Sequence, residues 1–507
     1  MSRLPGRARN GPDGAAPDRS LAELSETPLR VLRNRRFLAL WLAQVATQVG
    51  TNMVLFGLTV QIFTVTRQST SISLLILSFL VPAVIFGAIA GVYVDRQDRR
   101  MLLVATNALR AVLFVGLIFV QQDVALIYLF TILISTLTTF FGPAEAAMIP
   151  VIVDRRQLLA ANSMYVFTLQ ASFFVGFAIL GPLVVNLYDL GVLLWIVAAL
   201  FFAAAALCWT LPPHNPRLGA HRPAQALSEA GSAVATTFAQ LRDGLRFIAD
   251  NRNVFWPLTY LAITASLIGV LGVLGPGFAT QVLGLTERDF VIVVLPLGAG
   301  LVMGILLLNA YGRFIPRRRG VEGGLVALGV TLAALAVAQP VTTVLTQGVI
   351  SLLSVVVVVA FAAGIAYAFV AVPAQTQLQE ELPPDVRGRV FGVLNMLISI
   401  ASFLPIILVG PIADVVGTSP VVLVSALFVL LAAAGSIAWA RPARPAATSP
   451  AALLEPIDPV AVTSRSLTQP VRLRYVDEER EGAVGLSYLS SPVIPGRAGP
   501  AHPTEHE

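Results

Sequence analysis

The chain has 507 residues, 56% hydrophobic and 12% charged, with a formal net charge of +6 and a sequence pI of about 9.9. Soluble domains carry about 25% charged residues, so this composition excludes an ordinary water-soluble enzyme. All 34 basic residues are arginines, scattered through short connections rather than gathered on one basic surface, which argues against a nucleic-acid partner.

Residues 1–36 are rich in Arg, Gly and Pro and contain no apolar run, so they read as a cytoplasmic tail rather than a cleavable leader. Twelve apolar blocks follow, with approximate limits 37–64, 71–94, 101–120, 125–149, 159–186, 190–211, 254–283, 289–311, 321–340, 345–372, 390–416 and 419–440. Each is near the ~20 residues that an α-helix needs to cross ~30 Å of hydrocarbon. The expected fold is therefore an all-α membrane protein. Its six-helix halves, 37–211 and 254–440, are joined by the segment 212–253. Within that segment Phe238, Leu241, Leu245 and Ile248 recur at spacings of three and four beside Arg242, Arg246 and Arg252, predicting an amphipathic helix on the cytoplasmic membrane surface. Residues 441–507 are rich in Pro, Ala and Ser and read as a disordered cytoplasmic tail. The one cysteine, Cys208, lies in the sixth block and reads as a buried small residue.

Arginines fall on alternate connections, which sets the orientation. Arg33, Arg35 and Arg36 precede span 1; Arg96, Arg99 and Arg100 lie between spans 2 and 3; Arg155 and Arg156 follow span 4. Arg313 and Arg317 to Arg319 follow span 8, and Arg387 and Arg389 precede span 11, whereas the opposite side holds Arg67 and Arg288. Both termini are expected in the cytoplasm, in a multi-pass protein of the cell membrane.

The two halves echo each other. Pro143-Ala144 matches Pro373-Ala374, and Ala171-Ser172-Phe173 matches Ala401-Ser402-Phe403, both at an offset of 230. Gly181-Pro182 matches Gly410-Pro411 at an offset of 229, and Tyr93 with Arg99-Arg100 matches Tyr311 with Arg317-Arg318 at 218. The same order at the same topological place predicts a six-plus-six duplication, in which two bundles can rock about a central site.

The run Gly91-Val-Tyr-Val-Asp95-Arg96-Gln-Asp98-Arg99-Arg100 between spans 2 and 3 resembles the loop signature of the major facilitator superfamily. Gly91, Asp95, Arg96, Arg99 and Arg100 fit, while Asp98 stands where that family usually has glycine and adds a carboxylate to a tight turn. The resemblance implies gating by these residues: Asp95 would meet the start of span 11 near Val390 and Phe391, where a helix N-terminus attracts negative charge. The second-half copy has Arg313 at the aspartate position. Gly176, Gly181 and Pro182 in span 5 resemble the exporters' glycine-proline signature and imply a gating bend, although Val184 and Val185 replace two glycines common there. The Phe-Gly-Pro-Ala run at 141–144, Asn162, Leu245-Arg246-Phe247 and the stretch from Arg387 to Gly417 resemble the subgroup of siderophore and macrolide exporters.

Arg110 lies about 13 Å into span 3 at 1.5 Å per residue, and Glu145 near the end of span 4 is its candidate charge partner or a proton site. In the family, spans 1, 4, 7 and 10 line the cavity, which makes Gln44, Gln48, Thr51, Asn52, Tyr260, Thr264 and Tyr367 candidate substrate contacts. The four histidines, His214, His221, His502 and His506, fall in linker or tail; with no zinc-protease, nucleophile-elbow or phosphate-loop motif, neither an enzyme nor a cofactor or metal site is expected. The expected function is a monomeric secondary transporter, a proton-coupled exporter or antiporter of amphipathic small molecules working by alternating access. A lipid or lysophospholipid flippase is the alternative, followed by a non-transporting sensor or scaffold.

Overall fold

The computed structural model of the chain describes residues 28–94, 96–154, 157–213, 252–338, 352–381 and 403–439. In the first half, α1 (Arg35–Thr66), α2 (Ser69–Val94), α3 (Arg99–Phe119) and α4 (Val124–Ile152) follow one another closely. The next span is composite: α5 (Leu158–Phe173) runs through a π-helical stretch, Phe174–Leu180, into α6 (Gly181–Leu187). The half ends with α7 (Leu190–Trp209). The second half contains α8 (Arg252–Gln281), α9 (Val291–Tyr311), α10 (Arg317–Ala336), α11 (Leu352–Glu381), α12 (Phe403–Val416) and α13 (Thr418–Trp439).

Among the described residues, eleven helical stretches are long and apolar enough to cross a membrane, and α12 is a shorter apolar helix. The start of the tenth predicted span, the first part of the eleventh, the predicted amphipathic linker helix, residues 1–27 of the N-terminal tail and the C-terminal tail lie outside the described residues. There is no strand among the described residues. These observations agree with a twelve-helix membrane fold.

Short polar side chains start the helices. Asn34, Asp98, Asp123 and Asp189 each accept a backbone N–H from the first turn of α1, α3, α4 and α7, a cap worth roughly 1 kcal/mol. Asp98, the residue that departs from the family's glycine, accepts from Arg100 N at 2.9 Å and Met101 N at 3.3 Å. Its carboxylate thus satisfies donors that a glycine would leave to water. At the C-terminal end of α1, Arg67 turns left-handed at φ 56° and donates its N–H to Phe63 O. Gly417 alone joins α12 to α13, and its φ of +90° is one that a side chain would strain.

The duplication is visible in packing. In the first half α3 packs on both α7 and α4, and α2 on α4; in the second, α10 packs on both α13 and α11, and α9 on α11. These are corresponding helices of the repeat. Backbone approach between α9 and α11 is allowed by Gly300, Gly304 and Gly364, where an added Cβ would collide with the facing helix.

Among the described residues, the two halves share one buried cluster, and three others each lie within one half, one of them in the second half beside the shared core, around Phe278, Val293 and Val356. Phe56, Ile62, Ile72, Leu75 and Phe177 pack into one core with Leu274, Phe290, Ile406 and Val409 at the end of the bundle reached by the C-terminus of α1. At the opposite end the first half has its own core around Phe37, Leu40, Leu103 and Met148. The second half has another around Tyr260, Leu325, Val370 and Val429. Among the described residues, the halves are therefore sealed to each other at one end and separately packed at the other.

Candidate functional site

Three constellations bring together side chains with chemical capacity. The first is a polar nest inside the first half. Asn107, Arg110 and Phe114 fall on one face of α3 at spacings of three and four, and Thr138, Phe141 and Glu145 do the same on α4. Phe201 and Cys208 reach the nest from α7. Arg110 is 1% exposed, and its guanidinium lies between the rings of Phe141 at 4.5 Å and Phe201 at 4.7 Å. Its N–H groups donate to Asn107 Oδ1 at 2.6 Å, Thr106 O at 3.3 Å and Thr138 Oγ1 at 3.3 Å. Asn107 in turn donates to the sulfur of Cys208 at 3.6 Å.

Glu145, also 1% exposed, lies in the same nest but closes no ion pair with Arg110; neither carboxylate oxygen has a hydrogen-bond partner. The Tyr165 hydroxyl stands beside it as a hydrogen-bonding neighbour, short of full donor geometry, and the Arg110 guanidinium acts on it through its charge. The structure thus brings the two predicted residues together without the direct pairing that their sequence positions suggested. Arg110 has taken local acceptors and aromatic faces instead.

The second constellation holds the predicted substrate contacts. On α1, Gln44 is buried and donates to Tyr165 O at 3.2 Å, tying α1 to α5. Thr51 donates to Thr47 O and Asn52 to Gln48 O, both at 2.8 Å, so these are bonds within the helix; Gln48, Thr51 and Asn52 remain half-buried. In the second half the Tyr260 hydroxyl and Ser436 Oγ are 2.6 Å apart, linking α8 to α13. Thr264 donates to Tyr260 O and Leu261 O at 3.0 Å, and half-buried Tyr367 stands beside it on α11. Ser436 was not singled out from the sequence, because a lone serine in an apolar span carries no periodic signal.

The third constellation comprises the predicted gating residues and the seal between halves. Asp95, like Val390 and Phe391, lies outside the described residues. A Cβ at Gly91 would meet nothing within 4 Å. Arg99 donates to Ala147 O at 2.9 Å and Arg100 lies 4.7 Å above the Trp209 ring, both contacts within the first half. Arg96 sits half-buried in the turn, its N–H donating to Tyr93 O. Gly181 donates its N–H to Gly176 O, the five-residue step of the π-helix, just before Pro182, which has no N–H. A Cβ at Gly176 would lie 2.5 Å from Val49 O and 2.8 Å from Asn52 Cβ, so α1 rides directly on this stretch.

At the sealed end, Phe290 stacks on Phe56 at 5.1 Å and meets Phe177 edge-on at 6.0 Å. Glu287 pairs with Arg67 at 3.0 Å and accepts the Thr64 hydroxyl at 2.8 Å, while Arg288 donates to Val185 O at 3.1 Å. Asp414 on α12 accepts from Ser69 N at 2.6 Å and from Thr70 N at 2.9 Å, and Ser73 donates to Ile406 O at 2.7 Å. None of these cross-half partners could be paired from sequence spacing.

Comparison with known proteins agrees with this architecture. The chain is 21% identical over 399 residues to macrolide efflux protein A of Streptococcus pyogenes, covering 78% of this chain and 93% of that protein. It is 27% identical over 373 residues to the multidrug efflux pump Tap of Mycolicibacterium fortuitum, covering 71% and 84%. Among solved structures, nucleoside transporter NupG aligns with a TM-score of 0.59 at 15% identity, over 80% of this chain and 98% of that one. A bacterial homologue of the human lysosomal transporter Spinster, inward-facing and occupied, aligns with a TM-score of 0.58 at 15% identity, over 82% and 97%. The family model of the Major Facilitator Superfamily matches residues 40–406, from the first span into the eleventh, and the chain belongs to that superfamily.

Proposed function

We propose that this membrane transporter is a proton-coupled exporter of amphipathic small molecules, working by alternating access in the cell membrane with both termini in the cytoplasm. The observation that carries the reading is the asymmetry of the bundle: a core shared by both halves is found at one end, while at the other, among the described residues, each half has its own. Arg99, Arg100, Arg313, Arg317 and Arg318 lie at the separately packed end, which the positive-inside rule assigns to the cytoplasm. The structure then corresponds to a carrier closed to the outside. The half-buried polar groups of α1, α8 and α11 are the proposed substrate contacts, namely Gln48, Thr51, Asn52 and Tyr367, with Gln44, Tyr260 and Thr264 holding the helices that present them.

Relatives named for macrolide and multidrug efflux support export and an amphipathic cargo. Coupling to protons is supported by Glu145. An ionised carboxylate buried without a donor is very unfavourable, whereas the uncharged acid is tolerated, so this group can carry a proton between states.

The test is a substrate screen in sealed vesicles with an imposed pH gradient, comparing the parent with Asp95→Asn. The expected result is gradient-driven uptake into inverted vesicles, with turnover falling more than binding in the variant. Undiminished turnover would remove Asp95 from the mechanism. Substrate counterflow without any response to the pH gradient would leave transport standing and rule out proton coupling.

A further inference from the structure

The carboxylate of Asp414 stands at the C-terminal end of α12, on the last turn before Gly417. It faces the first turn of α2 across the boundary between the halves. One carboxylate oxygen accepts from Ser69 N at 2.6 Å; the other accepts from Thr70 N at 2.9 Å and from the Thr70 hydroxyl at 2.5 Å. The first N–H groups of a helix have no partner within the helix and sit at the positive end of its dipole. A carboxylate from a different half of the molecule is therefore capping α2, a task that elsewhere in this chain falls to a neighbour in sequence such as Asp98 or Asp123.

The packing beneath this contact is equally close. An added Cβ at Gly410, one turn earlier on α12, would lie 2.8 Å from Ser69 O and 2.9 Å from Thr70 Cα. Ser73, one turn further along α2, donates to Ile406 O. Residues 406, 410 and 414 thus form one stripe of α12 against residues 69, 70 and 73 of α2.

The repeat shows that the device is one-sided. Gly410-Pro411 corresponds to Gly181-Pro182 at an offset of 229, so the position matching Asp414 is Val185. There the cross-half bond runs the other way in charge: Arg288 donates to the carbonyl of Val185 at 3.1 Å. Arg288 belongs to the turn before α9, the second-half counterpart of α2. One boundary is held by an anion on a helix start and the other by a cation on a helix end, each with the favourable sign for the dipole it meets.

We propose that Asp414 is a latch for the outer end of the carrier: its capping of α2 holds the halves together on the outside, and its release is part of opening outward. The proposal rests on the alternating-access reading. It also predicts opposition between two carboxylates. α2 and the span containing α12 are antiparallel, so Asp95 follows the C-terminal end of α2, at the other end of the bundle from Asp414. Neutralising either should push the equilibrium in opposite directions.

The experiment measures the separation of the halves directly. In a Cys208→Ala background, spin labels at Gln122→Cys and Pro420→Cys, exposed positions near the outer end of the two halves, report the distance distribution in liposomes by pulsed EPR, without substrate. Asp414→Asn should lower the ratio of closed to open populations at the outer end by roughly 5- to 30-fold, the range of one modest charge-assisted contact. Thr70→Val, which removes the hydroxyl but neither N–H, should have a smaller effect in the same direction. Asp95→Asn should raise the ratio, and the double variant should lie between the singles.

A distribution that moves with Asp95→Asn but not with Asp414→Asn overturns the latch and leaves alternating access intact. A distribution that moves with no variant overturns both. Unfolding is recognised separately by loss of a monodisperse elution profile; were Asp414→Asn to unfold, the latch would stand or fall on the shift with Thr70→Val.

Discussion

Replacing Glu145 by Gln separates a structural ion pair from a proton carrier. Removing one member of a buried, mutually satisfied ion pair costs about 3–5 kcal/mol. The geometry here leads to a different number. Arg110 directs its donors to Asn107, Thr106 and Thr138 and lies between two phenylalanine rings, and both oxygens of Glu145 lack a donor. Glutamine preserves shape and adds one amide group that must find an acceptor, for which the nearby Tyr165 hydroxyl is available. The expected loss is thus at most about 1 kcal/mol, of the order of one ordinary hydrogen bond. That corresponds to roughly 2–4 °C in melting temperature on the scale of medium-sized domains, read by intrinsic fluorescence in detergent. In vesicles the same variant should lose accumulation driven by a pH gradient while keeping substrate exchange at equal pH. A fall in melting temperature of more than about 8 °C would mean that Glu145 is an ionised structural partner. Undiminished gradient-driven accumulation would mean that it carries no coupled proton.

Two further perturbations test packing and capping. Gly176→Ala places a methyl group against Val49 O and Asn52 Cβ of α1; overpacking of this kind destabilises by about 1–3 kcal/mol. Gly142→Ala, where a Cβ meets nothing within 4 Å, should leave the melting temperature unchanged or slightly raised, so equal losses in both variants would refute the steric account. Asn34→Ala removes the cap on Arg36 N and Phe37 N and the bond from Asn34 Nδ2 to Ile152 O at 2.7 Å. The expected loss is roughly 1 kcal/mol, seen as faster amide exchange confined to the first turn of α1; unchanged exchange there would show that the cap is dispensable.

The spans and the repeat were legible because both are properties of consecutive residues: twenty apolar positions make a span, and Gly181-Pro182 can be matched to Gly410-Pro411 without knowing what either touches. Pairings were legible only in part. Residue types identified Arg110 and Glu145 as neighbours, but the rotamer of Arg110 is decided by Phe141, Phe201 and Asn107, whose convergence depends on how three helices pack. Likewise Gln44 and Gln48 lie one turn apart on α1, yet Gln44 is buried against Tyr165 O while Gln48 stays half-buried, a difference set by α5. The seal was not legible at all. Phe56 and Phe290, or Asp414 and Ser69, are more than two hundred residues apart, and their contact exists only because the halves close on each other.

That seal has a strength suited to a switch. Its exposed ion pair, Arg67 with Glu287, belongs to a class worth about 0–1 kcal/mol, and the contacts of Phe290 with Phe56 and Phe177 add about 0.5–1.5 kcal/mol each beyond burial. The capping contacts of Asp414 are of similar size. Apart from the apolar burial of the shared core, these ties together reach a few kcal/mol. Shifting two conformations from 1:99 to 99:1 needs about 5.5 kcal/mol of differential binding, so such ties are within reach of one bound substrate or one relocated proton. A boundary built throughout like α9 against α11, which meet backbone to backbone through Gly300, Gly304 and Gly364, rather than at Gly410 against α2, would instead lock the carrier in one state. The close glycine packing between α9 and α11 lies within a half, while the boundary between halves also carries separable aromatic and polar contacts, and that division lets two rigid bodies move without either coming apart.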